Sequence, residues 1–240
     1  MNTGGNLRPG GELVVRKNTR KPSLSWRIRN AMRWAWWRGL IGHVLAQPLR
    51  RLTGAIAIVA ELEVTHIRLS DEDRAEWLRR KAAGASLDEL RLLSLNMGER
   101  VRYGAASRLS VTDAGVAYIV DDFDNAAGSA DVSLFNFHGC GTGTNAENVT
   151  DVALQTESTT ALNPDSTRAT GTRSQPAANQ FRSVGTLTFD ASAAVTEHGI
   201  FTTSGTGTGT LLDRSVFSAI NVASGDSIQF TYTITFPAGG

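Results

Sequence analysis

Residues 228–236 read IQFTYTITF, and their pattern decides the fold: Ile228, Phe230, Tyr232, Ile234 and Phe236 alternate with Gln229, Thr231, Thr233 and Thr235. A period of two, built from aromatic and β-branched residues, predicts a strand with one covered face. Ala223-Ser224-Gly225-Asp226 immediately before it is turn chemistry. Further back, Ser204–Thr210 (SGTGTGT) lies between the apolar runs VTEHGIF and LLDRSVFSAI and predicts a hairpin tip. Val184–Phe189 supplies another strand. Together these stretches predict an antiparallel meander forming half of a sandwich.

Upstream, residues 62–69 alternate well enough for a strand. Two helix starts follow. Ser70 precedes three acidic residues, and Ser86 has Glu89 three positions on. Both are capping boxes, with carboxylates at the positive end of the helix dipole. The first helix is expected to run to about Ala83, with Trp77 and Leu78 as its apolar contacts, and to stop at Gly84. The second spans Leu87–Asn96 and ends at Gly98. The pair reads as a helical insertion, residues 70–98, on a β scaffold. Arg100–Ser110 predicts a strand. Thr112 caps a helix Asp113–Phe123 whose expected buried stripe is Val116, Ile119, Val120 and Phe123. Val132–Phe137 is expected to be a strand, with His138–Thr144 (HGCGTGT) as the loop after it.

Several of these segments resemble the C-terminal β-domain of tailed-bacteriophage virion proteins. The resemblance is carried by Val195–Phe201 (VTEHGIF), Leu211–Ser218 (LLDRSVFS) and Ile220–Phe236 (INVASGDSIQFTYTITF). It extends upstream through Val111–Phe123 (VTDAGVAYIVDDF), Phe137–Glu157 and Asn163–Thr172 (NPDSTRATGT). It covers about the last half of the chain. It implies a mainly β fold, an antiparallel jelly-roll-like or Ig-like sandwich, and a structural place in a phage particle. Glu197 falls in the scaffold pattern that the resembling proteins share.

The charge is divided along the chain. Residues 1–110 carry 20 Lys and Arg against 10 Asp and Glu, whereas residues 111–240 carry 4 Arg against 13 Asp and Glu. The net charge of +1 therefore describes neither half, and the asymmetry implies two regions meeting different surroundings. One cysteine, Cys140, excludes an internal disulfide framework and fits assembly in a reducing compartment. Residues 1–25 have no early apolar core of a secretory signal and read as an extended or disordered arm. Met32–Leu49, the most membrane-like piece, is interrupted by Arg33, Arg38, His43 and Pro48, short of the ~18 apolar residues of a span.

Between these lies an unusual segment. Trp26, Arg27, Arg29, Arg33, Trp34, Trp36, Trp37 and Arg38 crowd into thirteen residues. At helical spacing Met32, Trp36, Leu40 and Val44 share one stripe, and Trp37, Ile41 and Leu45 another. Trp and Arg dominate interface hot spots and stack on one another as cation–π pairs. Trp26, Arg29, Arg33, Trp34, Trp36, Trp37 and Arg38 are therefore the expected partner interface. The expected organisation is a basic anchoring arm over residues 1–53, containing this helix, and a β-sandwich over 54–240. Three alternatives stay open for the helix: packing on its own domain, lying on a membrane surface, and contact with DNA.

Catalytic and ligand-binding patterns in the sequence are weak. His138–Thr144 lacks the Gly-Lys-Ser/Thr of a phosphate loop, and its glycines lack dinucleotide-binding spacing. No Gly-x-Ser-x-Gly elbow occurs. His138, Cys140, Glu197 and His198 lack the spacing of a zinc site, and Asp121, Asp122 and Asp124 lack that of a calcium loop. No cofactor is implied. Glu197 reads as a structural carboxylate paired with Arg214, with a glycan-cleaving carboxylate as the remote alternative. Residues 148–180 form a long polar stretch, expected to be ordered by neighbouring subunits.

The resemblance thus sets the expectation for function: a non-enzymatic virion component, made in the bacterial cytoplasm and placed on the head surface as a capsid decoration, or cement, protein. Its expected partners are the major capsid protein and copies of itself; the alternative is a tail, neck or fibre-base structural protein whose partners are tail or portal-ring proteins.

Overall fold

In the computed structural model, which describes residues 58–109, 111–124 and 130–236, the alternating stretch forms a strand from Ser227 to Thr235. In chain order the elements are β1 (Val59–Arg68), α1 (Asp71–Ala82), α2 (Leu87–Met97), β2 (Glu99–Leu109) and α3 (Asp113–Asp124), then a 3-10 turn (Val132–Leu134) and β3 (Phe137–Gly141). After them come β4 (Ala169–Thr170), β5 (Thr172–Ser174), β6 (Gln180–Thr188), β7 (Ala193–Phe201), β8 (Leu211–Val222) and β9, the Ser227–Thr235 strand. Two antiparallel sheets face each other. One has the order β2-β1-β9-β6-β5 and the other β4-β3-β7-β8. The protein is mainly β, as expected, with the helical insertion α1–α2 between two neighbouring strands of the first sheet.

β9 is central to the first sheet, paired with β1 on one side and β6 on the other. Its inward row, Ile228, Phe230, Tyr232 and Ile234, is buried, while Gln229, Thr231, Thr233 and Thr235 are half-buried. The facing sheet contributes Cys140, Val195, Ile200, Leu212 and Ile220 to the same core. Each fully buried large apolar side chain is worth roughly 1.5–3 kcal/mol over an exposed one, so this row alone goes far toward holding the sheets together. Phe236 falls outside the row. It lies one residue past the strand and is 42% exposed, because pairing stops at Thr235.

The expected meander is corrected. β7 and β8 form a hairpin in one sheet, whereas β6 and β9 pair in the other. The turn at Ala223–Asp226 thus carries the chain across the sandwich instead of back along one sheet. This nesting of one hairpin inside another is the arrangement from which jelly rolls are built. Asp226 holds the crossing. Its Oδ1 accepts from the Leu69 backbone N–H (2.9 Å) and Arg74 Nη2 (3.0 Å), and its Oδ2 from the Ala223 N–H (3.0 Å), with His66 Nε2 at 3.2 Å. One side chain thus ties the β8–β9 crossing to β1 and to the first turn of α1.

The two helices of the insertion start where the caps predict. Ser70 Oγ accepts from the Asp73 N–H and Ser86 Oγ from the Glu89 N–H. Gly84, just past α1, has φ +81°, a left-handed conformation that glycine adopts without a Cβ penalty. Trp77 is buried with Leu69 and Leu90, and its indole N–H donates to the Leu90 carbonyl at 3.1 Å. Leu78, the other expected contact, is 44% exposed; a helix turns about 100° per residue, so Trp77 and Leu78 cannot both face the same cluster.

Candidate functional site

The sequence-predicted interface residues Trp26, Arg29, Arg33, Trp34, Trp36, Trp37 and Arg38 lie outside the described residues, as does the expected boundary between residues 53 and 54. Within the described residues, three places concentrate chemistry.

The first is built around Glu197 on β7. In register it faces Gly141 of β3 and Val216 of β8. Its carboxylate is fully buried. Oε1 accepts from the backbone N–H of Gly143 (3.0 Å) and Thr156 (2.7 Å), and Oε2 from that of Gln155 (3.0 Å) and from Arg214 Nε (2.8 Å). Arg214 reaches on to Asp151 Oδ2 at 3.0 Å and the Asn145 carbonyl at 3.2 Å. Arg214 is thus the partner expected from the sequence. Four donors thus meet the two carboxylate oxygens of the buried Glu197 side chain.

The same geometry explains the HGCGTGT glycines. His138–Gly141 belongs to strand β3, not to a loop, and the expected Val132–Phe137 strand is a 3-10 turn over Val132–Leu134. Neither Gly141 nor Gly143 has a positive φ. What they supply is clearance: a Cβ on Gly141 would run into the Thr156 carbonyl, and one on Gly143 would sit 2.5 Å from Glu197 Oε1. Backbone N–H groups reach the carboxylate only because no side chain intervenes.

A second ion pair closes the opposite loop. Arg168 meets Glu157 through two bonds, Nε to Oε1 at 2.6 Å and Nη2 to Oε2 at 3.0 Å, and stacks 3.4 Å from the Phe201 ring centroid. Its Nη1 donates to the carbonyls of Thr203 (3.1 Å) and Thr208 (2.7 Å) in the β7–β8 tip. The polar stretch 148–180 is therefore ordered from within, by Glu157, Arg168, Glu197 and Arg214. Its polar side chains supply these internal anchors.

The second place is the centre of the sandwich. His138 of β3 and His198 of β7 meet with Nδ1 and Nε2 3.0 Å apart, and His138 Nε2 is 2.8 Å from Ser183 Oγ on β6. Ser183 Oγ donates to Asn136 Oδ1 at 2.9 Å. That direction fixes the rest: His138 Nε2–H donates to Ser183, and His198 Nε2–H donates to His138 Nδ1. The chain of donors needs the His138 ring neutral, since its Nδ1 accepts. Burial pushes the His138 pKa down to about 3, and burial, with His138 beside it, holds His198 well below its usual value. His198 Nδ1 ends the chain, a buried side-chain polar atom without a partner.

A serine beside two histidines invites a catalytic reading, but Ser183, His138 and His198 are all fully buried and offer nothing to a substrate. Among the described residues no group of three or more His, Cys, Asp or Glu side chains could hold a metal ion. The Cys140 thiol is buried, which pushes its pKa up to about 12 and keeps it a small hydrophobe.

The third place is a cleft of about 770 Å³ bounded by α3, the 3-10 turn, the β5–β6 connection and the end of β9. Ile119, Phe123, Val132, Phe135, Phe181 and Phe236 give it apolar walls, with Asp122 and Arg173 as its charged groups. The expected stripe on α3 is corrected here. Val116 and Val120 are exposed and Phe123 is 84% exposed, whereas Gly115 is buried and Tyr118 and Ile119 pack on the core. Gly115 is the reason. A Cβ there would lie 2.8 Å from the Leu212 carbonyl, so the helix rests on β8 through its glycine and turns Val116, Val120 and Phe123 outward. Asp121 and Asp124 are exposed on the last turn of the same helix.

Sequence periodicity missed this face because it counted valines and not the glycine. No protein-family model, no curated protein and no solved structure matches the chain.

Proposed function

We propose that the chain is a structural component of a tailed-phage particle, a decoration protein that clamps neighbouring capsid subunits. The resemblance in the last half of the sequence motivates the reading. The observation that carries it is how the domain spends its buried charges. Glu197–Arg214 and Glu157–Arg168 are consumed in fastening long loops to the sheets, and Asp226 in fastening the helical insertion. Charged groups used this way stiffen a scaffold and leave outer surfaces free for contact. A basic, Trp-rich front segment on an acidic β-domain suits a clamp that engages several subunits at once, where linked weak contacts multiply.

The test is copy number in purified particles, read by quantitative mass spectrometry. Symmetric head assembly predicts copies on the order of hundreds. A handful per particle would move the protein to the tail or neck, and its absence from particles would end the reading.

A further inference from the structure

We infer that the α3 cleft is the receptor for the Trp/Arg segment of a neighbouring copy of this chain. The inference rests on the assembly reading above and names the contact that would build it. Three observations converge. The cleft is walled by aromatic and aliphatic side chains, and its volume of about 770 Å³ falls in the range of pockets that enclose large apolar groups. Of its two charged groups, Asp122 belongs to α3, whose last turn also carries the exposed Asp121 and Asp124, while Arg173 belongs to β5. The chain itself contains the complementary ligand. Residues 26–38 hold four tryptophans and four arginines and no acidic residue.

Indoles match the apolar walls, and guanidinium groups match the carboxylates beside them. The Met32, Trp36, Leu40 and Val44 stripe has the anchor spacing by which a helix lies in a groove. Rings within such a cleft are desolvated while the arginines meet charge at its rim, the division found at interface hot spots. An arm that fills the next copy's cleft is a heterologous contact, so it propagates from copy to copy and closes only if the geometry makes a ring.

The experiment uses the full chain. Phe123→Asp alters an outward residue, and Trp36→Ala with Trp37→Ala alters only the arm. Analytical ultracentrifugation should show concentration-dependent self-association of the unaltered chain, weakened ~30-fold or more by either variant, the scale of losing a hot-spot aromatic. Thermal unfolding of the Phe123→Asp variant should match the unaltered chain. An equimolar mixture of the two variants should form a 1:1 heterodimer, because each supplies the half that the other lacks. A monomeric unaltered chain, association indifferent to Phe123→Asp, or a mixture that stays monomeric would each overturn the inference. Failure here is separable from failure of the virion reading. Absence from particles leaves self-association intact, whereas a monomer abundant in particles removes only the arm-to-cleft contact.

Discussion

Replacing Glu197 by Gln tests the central claim about how this domain is held together. The substitution keeps the shape but removes a charge and half of the acceptor capacity. The native carboxylate takes four donors: the N–H groups of Gly143, Gln155 and Thr156, and Arg214 Nε. A glutamine oxygen can replace Oε1 toward Gly143 and Thr156, but its NH₂ then faces the Gln155 N–H and the guanidinium. Two donors lose their acceptor: the part-buried Gln155 N–H, which water can partly serve, and the buried, charged Arg214 Nε, at about 1–3 kcal/mol or more. Arg214 keeps Asp151, whose side chain is 24% exposed, so its charge is not wholly stranded. The expected loss is about 3–5 kcal/mol, the range for breaking one partner of a buried pair. Against a typical total stability of 5–15 kcal/mol, that is a large fraction.

Urea denaturation of the full chain at pH 7, followed by far-ultraviolet circular dichroism, gives the measurement, with the denaturant slope as a check that the same surface unfolds. A double-mutant cycle with Arg214→Met should return a coupling of at least about 2 kcal/mol. A Glu197→Gln variant within about 1 kcal/mol of the parent would refute the argument, since the carboxylate would then not be organising its loops. If that stable variant had also lost a glycan-cleaving activity, the remote catalytic reading would replace the structural one.

Further outcomes are expected from the titratable groups and from truncation. Burial pushes the Asp213 carboxyl up to about 7, so the folded state holds a proton that the unfolded chain, titrating near 3.8, has released; stability is fully present below pH 3.8 and is lost as pH rises through 7. Asp213→Asn should abolish that dependence, with its advantage over the parent growing between pH 4 and pH 8 to at most about 4 kcal/mol; parallel pH profiles of the two proteins would contradict it. His138 and His198 work in the opposite direction. Both are held neutral in the fold, so their contribution is present above the unfolded value of 6.5 and falls as pH drops. In the Asp213→Asn background, acidification from pH 6.5 to 5 should cost about 2 kcal/mol per ring, and a flat profile would mean that the rings accept protons in place. Deleting residues 1–47 should leave the far-ultraviolet spectrum of the β-domain recognisable and abolish incorporation into particles; normal incorporation would refute the anchoring role of the arm.

Local chemistry wrote the elements into the sequence. Alternation over 228–236 sets β9 and its buried face, because a pleated strand points successive side chains to opposite sides. Ser70, Ser86 and Thr112 start three helices through short-range hydrogen bonds that need no distant partner. The Glu197–Arg214 pair was legible too, because the resemblance put Glu197 in a scaffold pattern and offered a nearby arginine. Tertiary structure decided the rest. A four-residue turn at Ala223–Asp226 looks the same whether the chain doubles back or crosses the sandwich; the crossing is fixed by Asp226 binding Leu69 and Arg74, about 150 residues earlier. Helical period gave α3 an apolar stripe, but the close approach of Gly115 to Leu212 chose which face went inside. His138 and His198 are 60 residues apart and meet only because β3 and β7 are paired neighbours. Rules that act within a few residues can be read along a chain, whereas side chains brought together by sheet pairing are specified by the fold as a whole.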